Sequence, residues 1–68
     1  MILTTNQHIY IWSLLPSDLS YIDEIFYAKD IVYNRFGGLL RMDGSGAVHI
    51  DFIDPKYETT FRILTSDV

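Results

Sequence analysis

Leu39-Leu40-Arg41-Met42-Asp43-Gly44-Ser45-Gly46-Ala47-Val48-His49-Ile50-Asp51-Phe52-Ile53 is the stretch that decides the fold, because its register can be tested against its own hydrophobic pattern. Two apolar-rich runs flank Gly44-Ser45-Gly46, which is the signature of a β-hairpin. A two-residue loop, Gly44-Ser45, would set Leu40 against His49 and Arg41 against Val48, mixing polar and apolar residues on both faces. A three-residue loop closed by Asp43 and Ala47 instead pairs Met42 with Val48, Leu40 with Ile50 and Arg41 with His49. The pattern selects the second loop, and Gly46 supplies the left-handed residue that such loops favour.

On the C-terminal side, Pro55-Lys56-Tyr57-Glu58 reads as a turn closed by Asp54 and Thr59. It sets Phe52 opposite Phe61, Ile50 opposite Ile63 and Asp51 opposite Arg62, the last an opposite-charge cross-strand pair. The expected meander then has one apolar face: Leu40, Met42, Val48, Ile50, Phe52, Phe61 and Ile63. Its reverse face carries Leu39, Arg41, His49, Asp51, Ile53, Thr60, Arg62 and Leu64.

On the N-terminal side, Asp18–Phe36 reads as a helix, with Ser17 as N-cap and Gly37-Gly38 as the stop. At about 100° per residue, Leu19, Tyr21, Ile22, Ile25, Phe26, Ala28, Val32, Tyr33 and Phe36 gather in one broad arc, the expected core face. Ser20, Asp23, Glu24, Asp30, Asn34 and Arg35 take the other side. Tyr27 and Ile31 break the pattern on that polar side. Lys29 falls inside the apolar arc, either snorkelling or marking a kink. His8–Leu15 is β-branched and aromatic and reads as a strand, with Ile9 and Ile11 on one face and Tyr10, Trp12 and Leu14 on the other. The expected fold class is therefore α+β: one amphipathic helix on a mostly antiparallel sheet of 3–4 strands, in the order β-α-β-β-β. The first strand joins an edge, parallel to the second.

Sixty-eight residues suit one domain, with a core limited by the ~60% of unfolded surface that so short a chain buries. No cysteine is present, which removes disulfides and thiolate metal sites from the supports a small domain uses. Self-association or a partner remains. The hydrophobic fraction of 49%, with aromatics at 15%, is enough for a compact core and a sticky face together.

The net charge of −4 and the scattering of Lys29, Arg35, Arg41, Lys56 and Arg62 disfavour a phosphate-tracking surface. Nine acids offset by five bases also make a thin carboxylate array for nucleic-acid mimicry. No apolar run approaches the ~18 residues of a membrane span, and the N-terminus lacks signal-peptide character. A cytoplasmic location in a bacterial or other host cell is the expectation.

His49-Ile50-Asp51 places an imidazole and a carboxylate on one sheet face near Arg41 and Arg62, an arrangement any polar strand face produces. Gly44-Ser45-Gly46 is followed by a strand rather than a helix and does not fit a phosphate loop. No Gly-x-Ser-x-Gly elbow occurs, and Asp43-Gly44-Ser45 lacks the further ligands of a calcium loop. The expectation is a chain that is not an enzyme, with no cofactor and no metal. In size, acidity, aromatic content and lack of catalytic groups it resembles in type, without a shared motif, small phage and mobile-element proteins that bind and block a host protein.

The expected function is a non-enzymatic protein-binding module, an inhibitor or modulator of a larger protein or a homodimer acting as one. Its candidate partner-binding residues are Tyr10, Trp12, Tyr27, Ile31, Arg41, His49, Asp51 and Arg62. The alternatives are a single-stranded nucleic-acid-binding domain, with Tyr10 and Trp12 stacking on bases, and a small metal-dependent enzyme built on His49, Asp51 and Arg41.

Overall fold

The computed structural model describes residues 1–66. The hairpin is present in the expected register: β1 (Gly38–Met42) and β2 (Val48–Phe52) pair antiparallel, with Leu40 opposite Ile50, Arg41 opposite His49 and Met42 opposite Val48. The loop closes as expected too, Asp43 N donating to Ala47 O at 3.0 Å, with Gly46 at φ +88°. Around this hairpin the expected architecture is overturned. The described residues form a small α+β fold with three helices and a two-stranded antiparallel sheet, in the order α-α-β-β-α.

Most of the segment expected as the first strand, His8–Ser13, lies in α1 (Thr5–Ser13). Thr4 and Gln7 form a capping box: the Thr4 hydroxyl accepts from Gln7 N, and the Gln7 side-chain oxygen accepts from Thr4 N. These reciprocal bonds satisfy two of the donors that a helix start leaves orphaned, and here they outweigh the strand preference of Ile9, Tyr10, Ile11 and Trp12. Gln7 and Ile11, one turn apart, are the buried face. The segment that does flank β2 is earlier and makes only an isolated bridge. Leu3 N donates to Val48 O and Ile50 N to Met1 O, both at 2.9 Å, so Met1–Leu3 run antiparallel beside β2 rather than parallel to a neighbour.

The segment expected as the last strand is α3 (Pro55–Leu64). The Asp54 side chain caps Lys56 N at 2.9 Å, and Pro55, whose missing N–H costs nothing at a helix start, presets the first turn. The Asp51–Arg62 cross-strand pair therefore does not form. Arg62 lies one turn from Glu58 at 3.4 Å, and Asp51 is taken by Arg41 at 2.8 Å. Ile63, expected to face Ile50 in the core, is 67% exposed, and Phe61 alone of the α3 apolar residues is fully buried.

The long helix begins later than expected. α2 (Tyr21–Ile31) is capped by Ser20, whose hydroxyl accepts from Asp23 N. Asp18 sits at φ +66° in the connection from α1. Val32–Phe36 continue α2 as a wider π turn, and Gly37 at φ +67° stops it, as expected. An i→i+5 turn rotates each residue less than an α turn does, which swings Phe36 from the flank of the helix onto its core side.

The core draws on every element: Ile11 from α1, Ala28 from α2, Val32 and Phe36 from the π turn, Leu40 and Ile50 from the sheet and Phe61 from α3. Phe36 meets Phe61 edge-on at 5.1 Å, a favoured aromatic geometry. Burying each of the larger residues contributes ~1.5–3 kcal/mol. At the periphery, Gln7 Nε2 donates to Thr65 Oγ1 at 3.2 Å, tying α1 to the end of α3 through a buried polar pair.

Candidate interaction surface

α2 carries apolar residues on two sides, and the core covers one. Ala28 and Val32 are fully buried, with Ile25 and Ile31 half-buried beside them. The arc expected to face the core is thereby corrected, since Tyr21, Ile22, Phe26 and Tyr33 are 66%, 65%, 64% and 54% exposed. Phe26 lies close to diametrically opposite the buried side, at about 200° from Ala28. Ile22, one turn before it, and Tyr33, about two turns after it, extend an apolar strip along the outside of the helix.

Charges flank this strip unequally. At about 100° per residue, Asp23 and Asp30 fall about 40–60° to one side of Phe26, and Lys29 about 60° to the other. Lys29 is thus exposed on the outer face rather than resting on the core. Phe26, Tyr27 and Asp30 line a shallow depression of about 320 Å³ on the acidic side.

A second surface is the outer face of the sheet. Strand alternation puts Leu39 and Arg41 of β1 on the same side as His49 and Asp51 of β2. Ile2, paired with His49, adds to it, and Ile2 and Leu39 are 62% and 55% exposed. Arg41 Nε holds Asp51 Oδ2 at 2.8 Å, with both side chains about half exposed.

His49 is engaged elsewhere: its Nε2 meets Asp43 Oδ2 at 2.6 Å. The other Asp43 oxygen accepts from Ser45 N, Ser45 Oγ and Ala47 N. These bonds, led by those from Ser45 and His49, hold the Asp43 carboxyl well below the usual carboxylate range. Serine, aspartate and histidine are all present, but in the wrong order for catalysis. Nucleophilic activation needs the imidazole on the hydroxyl, whereas here the carboxylate stands between them and braces the loop. Among the described residues, no group of three or more His, Cys, Asp or Glu gathers to hold a metal ion. No helix of the described residues is long and apolar enough to cross a membrane.

The sequence-derived candidates are thus dispersed. Arg41, His49 and Asp51 come together on the sheet. Tyr27 is exposed on α2 and Arg62 on α3. Tyr10 and Trp12 are half-buried against the core cluster; the Tyr10 ring sits 6.2 Å from Phe36, and the Trp12 ring 4.2 Å from His8. Ile31 also packs partly on the core. Periodicity places Ile22, Phe26 and Tyr33 inward, whereas in the structure they form an exposed apolar strip on the outside of the helix. The signal that could have found them is the breadth of the arc itself, because a helix apolar nearly all round has more than one face to bury. No protein-family model matches this chain, and neither does any curated protein or solved structure.

Proposed function

We propose that this chain is a non-enzymatic protein-binding module whose docking surface is the outer face of α2. One observation carries the reading: Ile22, Phe26 and Tyr33 stay more than half exposed on a helix whose opposite side is already packed. A helix apolar on both sides belongs in an interior. With the core of this small fold on one side, a protein surface is what the other side lacks. Aromatic residues at the centre with charges at the rim is also the usual composition of a protein interface. Carboxylates at Asp23 and Asp30 beside the aromatics repel a phosphate backbone and favour protein over nucleic acid.

The test compares the wild-type chain with Phe26→Asp as baits in a native-host extract, with circular dichroism to check the fold. Bound protein lost from the variant while its spectrum stays native supports the reading. Equal capture by both baits removes α2 as the docking surface.

A further inference from the structure

Resting on that reading, we infer that the occupant of the α2 outer face is a second copy of this chain, packed with its own α2 in parallel about a two-fold axis. Ile22, Phe26, Lys29 and Tyr33 are spaced four, three and four residues apart, the alternation of a two-helix seam. Up to Ile31 the helix is regular, so three of the four seam positions lie in ideal geometry. Lysine at one seam position is disfavoured against its own copy unless an acid answers it.

Asp30 is the acid in place to do so. It follows Lys29 directly and falls on the opposite flank of the strip, so its height along the helix differs by only about 1.5 Å. A two-fold axis parallel to the helices lays the Lys29 flank of one copy on the Asp30 flank of the other, forming the same pair twice. An antiparallel arrangement keeps each flank against itself. It sets Asp23 of one copy beside Asp30 of the other, acid on acid, and leaves both lysines unanswered. Charge therefore chooses the orientation as well as the partner.

The available area sets the strength. Ile22, Phe26 and Tyr33 leave about half to two thirds of their surface uncovered. At the areas typical of such side chains, two facing copies bury roughly 700–850 Å² in total. That lies below the standard size for a stable complex, so the dimer expected is a dynamic one with micromolar rather than nanomolar affinity.

Sedimentation equilibrium of the full chain, from low micromolar to millimolar concentration, reads the association directly. Wild type is expected to be a monomer–dimer mixture and Phe26→Asp a monomer. Lys29→Asp and Asp30→Lys should each weaken self-association by about tenfold, since each turns both ion pairs into like-charge contacts. Mixing these two variants should restore it, because every contact across the mixed dimer is again Lys to Asp. A native circular dichroism spectrum for each variant separates association from folding.

A wild-type chain that stays monomeric at millimolar concentration overturns the inference. Phe26-dependent capture of another protein would then leave the docking reading of α2 standing, and its absence would end both. Dimerisation that ignores the charge variants, or is not rescued by mixing them, overturns the parallel pairing.

Discussion

The two sides of α2 have nearly the same chemistry and opposite fates. Ala28 and Val32, with Phe36 swung round by the π turn, are sealed against α1, α3 and the hairpin, while Ile22, Phe26 and Tyr33 face outward. Side-chain size explains the choice. Ala28, the smallest apolar residue of the helix, allows close approach to the core elements, and Phe26 at that place would hold them apart. Hydrophobicity marks both sides as buriable. Shape decides which is buried within the chain.

The largest effect is expected beneath the inner side. Phe61 has no exposed surface and meets both Phe36 and Phe52, so Phe61→Ala opens a cavity lined by the π turn and β2. A loss of ~3–5 kcal/mol is expected, a large share of the ~3–10 kcal/mol total of a domain of this size. A thermal midpoint close to that of wild type would show that the inner side is not the core.

Gly38→Ala probes the same packing from the strand. A Cβ there would drive into the Cγ2 of Ile50, a fully buried residue with nowhere to move, and would press on the Phe52 ring. Overpacking of this kind costs ~1–3 kcal/mol, read as a lower denaturant midpoint. A midpoint equal to wild type would mean that β1 and β2 are not held as closely as their register implies.

Gln7→Ala is expected to cost about 1 kcal/mol, by removing the capping-box acceptor and leaving the buried Thr65 hydroxyl with backbone partners alone. Chemical denaturation measures it. An effect near zero would separate α1 from the inner packing.

What the sequence made legible follows from how local each signal is. The hairpin register was readable because a one-residue slip inverts every side chain of a strand, so Leu40, Met42, Val48 and Ile50 test the pairing among themselves. Gly37 was readable as a helix stop for a similarly local reason, its positive φ. The terminal segments were misread because their helical signals are caps of two residues, Thr4 with Gln7 and Asp54 with Pro55, set against longer runs of β-branched and aromatic residues. The outer strip of α2 was not legible for a different reason. Periodicity orients a helix only when one side is polar, and beyond Ile31 the π turn at Val32–Phe36 also shifts the phase of Tyr33 and Phe36 by an amount no residue announces. The sheet's half of the candidate surface, Arg41, His49 and Asp51, was legible because strand alternation leaves no such freedom.

Acid should act on the hairpin and leave the contrast between the two sides of α2 intact. The Asp43 carboxyl is depressed in the folded chain, so its stabilising contribution is fully present above the unfolded value of about 3.9. That contribution declines as pH falls below this value. Asp43→Asn keeps an oxygen for the loop amides and removes the charge. The variant should therefore be less stable than wild type at neutral pH, with the gap narrowing in acid. A gap that widens on acidification would reverse the assigned sign.

The smallest effect on folding is expected where the effect on association is largest. Phe26 is 64% exposed and opposite the core, so Phe26→Asp removes little packing from the isolated chain and should change its stability by no more than about 0.5 kcal/mol. At low concentration, where any dimer has dissociated, the variant and wild type should share a thermal midpoint. Raising the concentration should lift the wild-type midpoint and leave the variant where it was, because only the wild type gains stability from its associated state. A concentration-dependent midpoint in both would place the contact elsewhere, with the exposed sheet residues Ile2 and Leu39 next in line. A large loss in the variant at low concentration would mean that the outer side already contributes to the core, and the contrast between the two sides of α2 would fail.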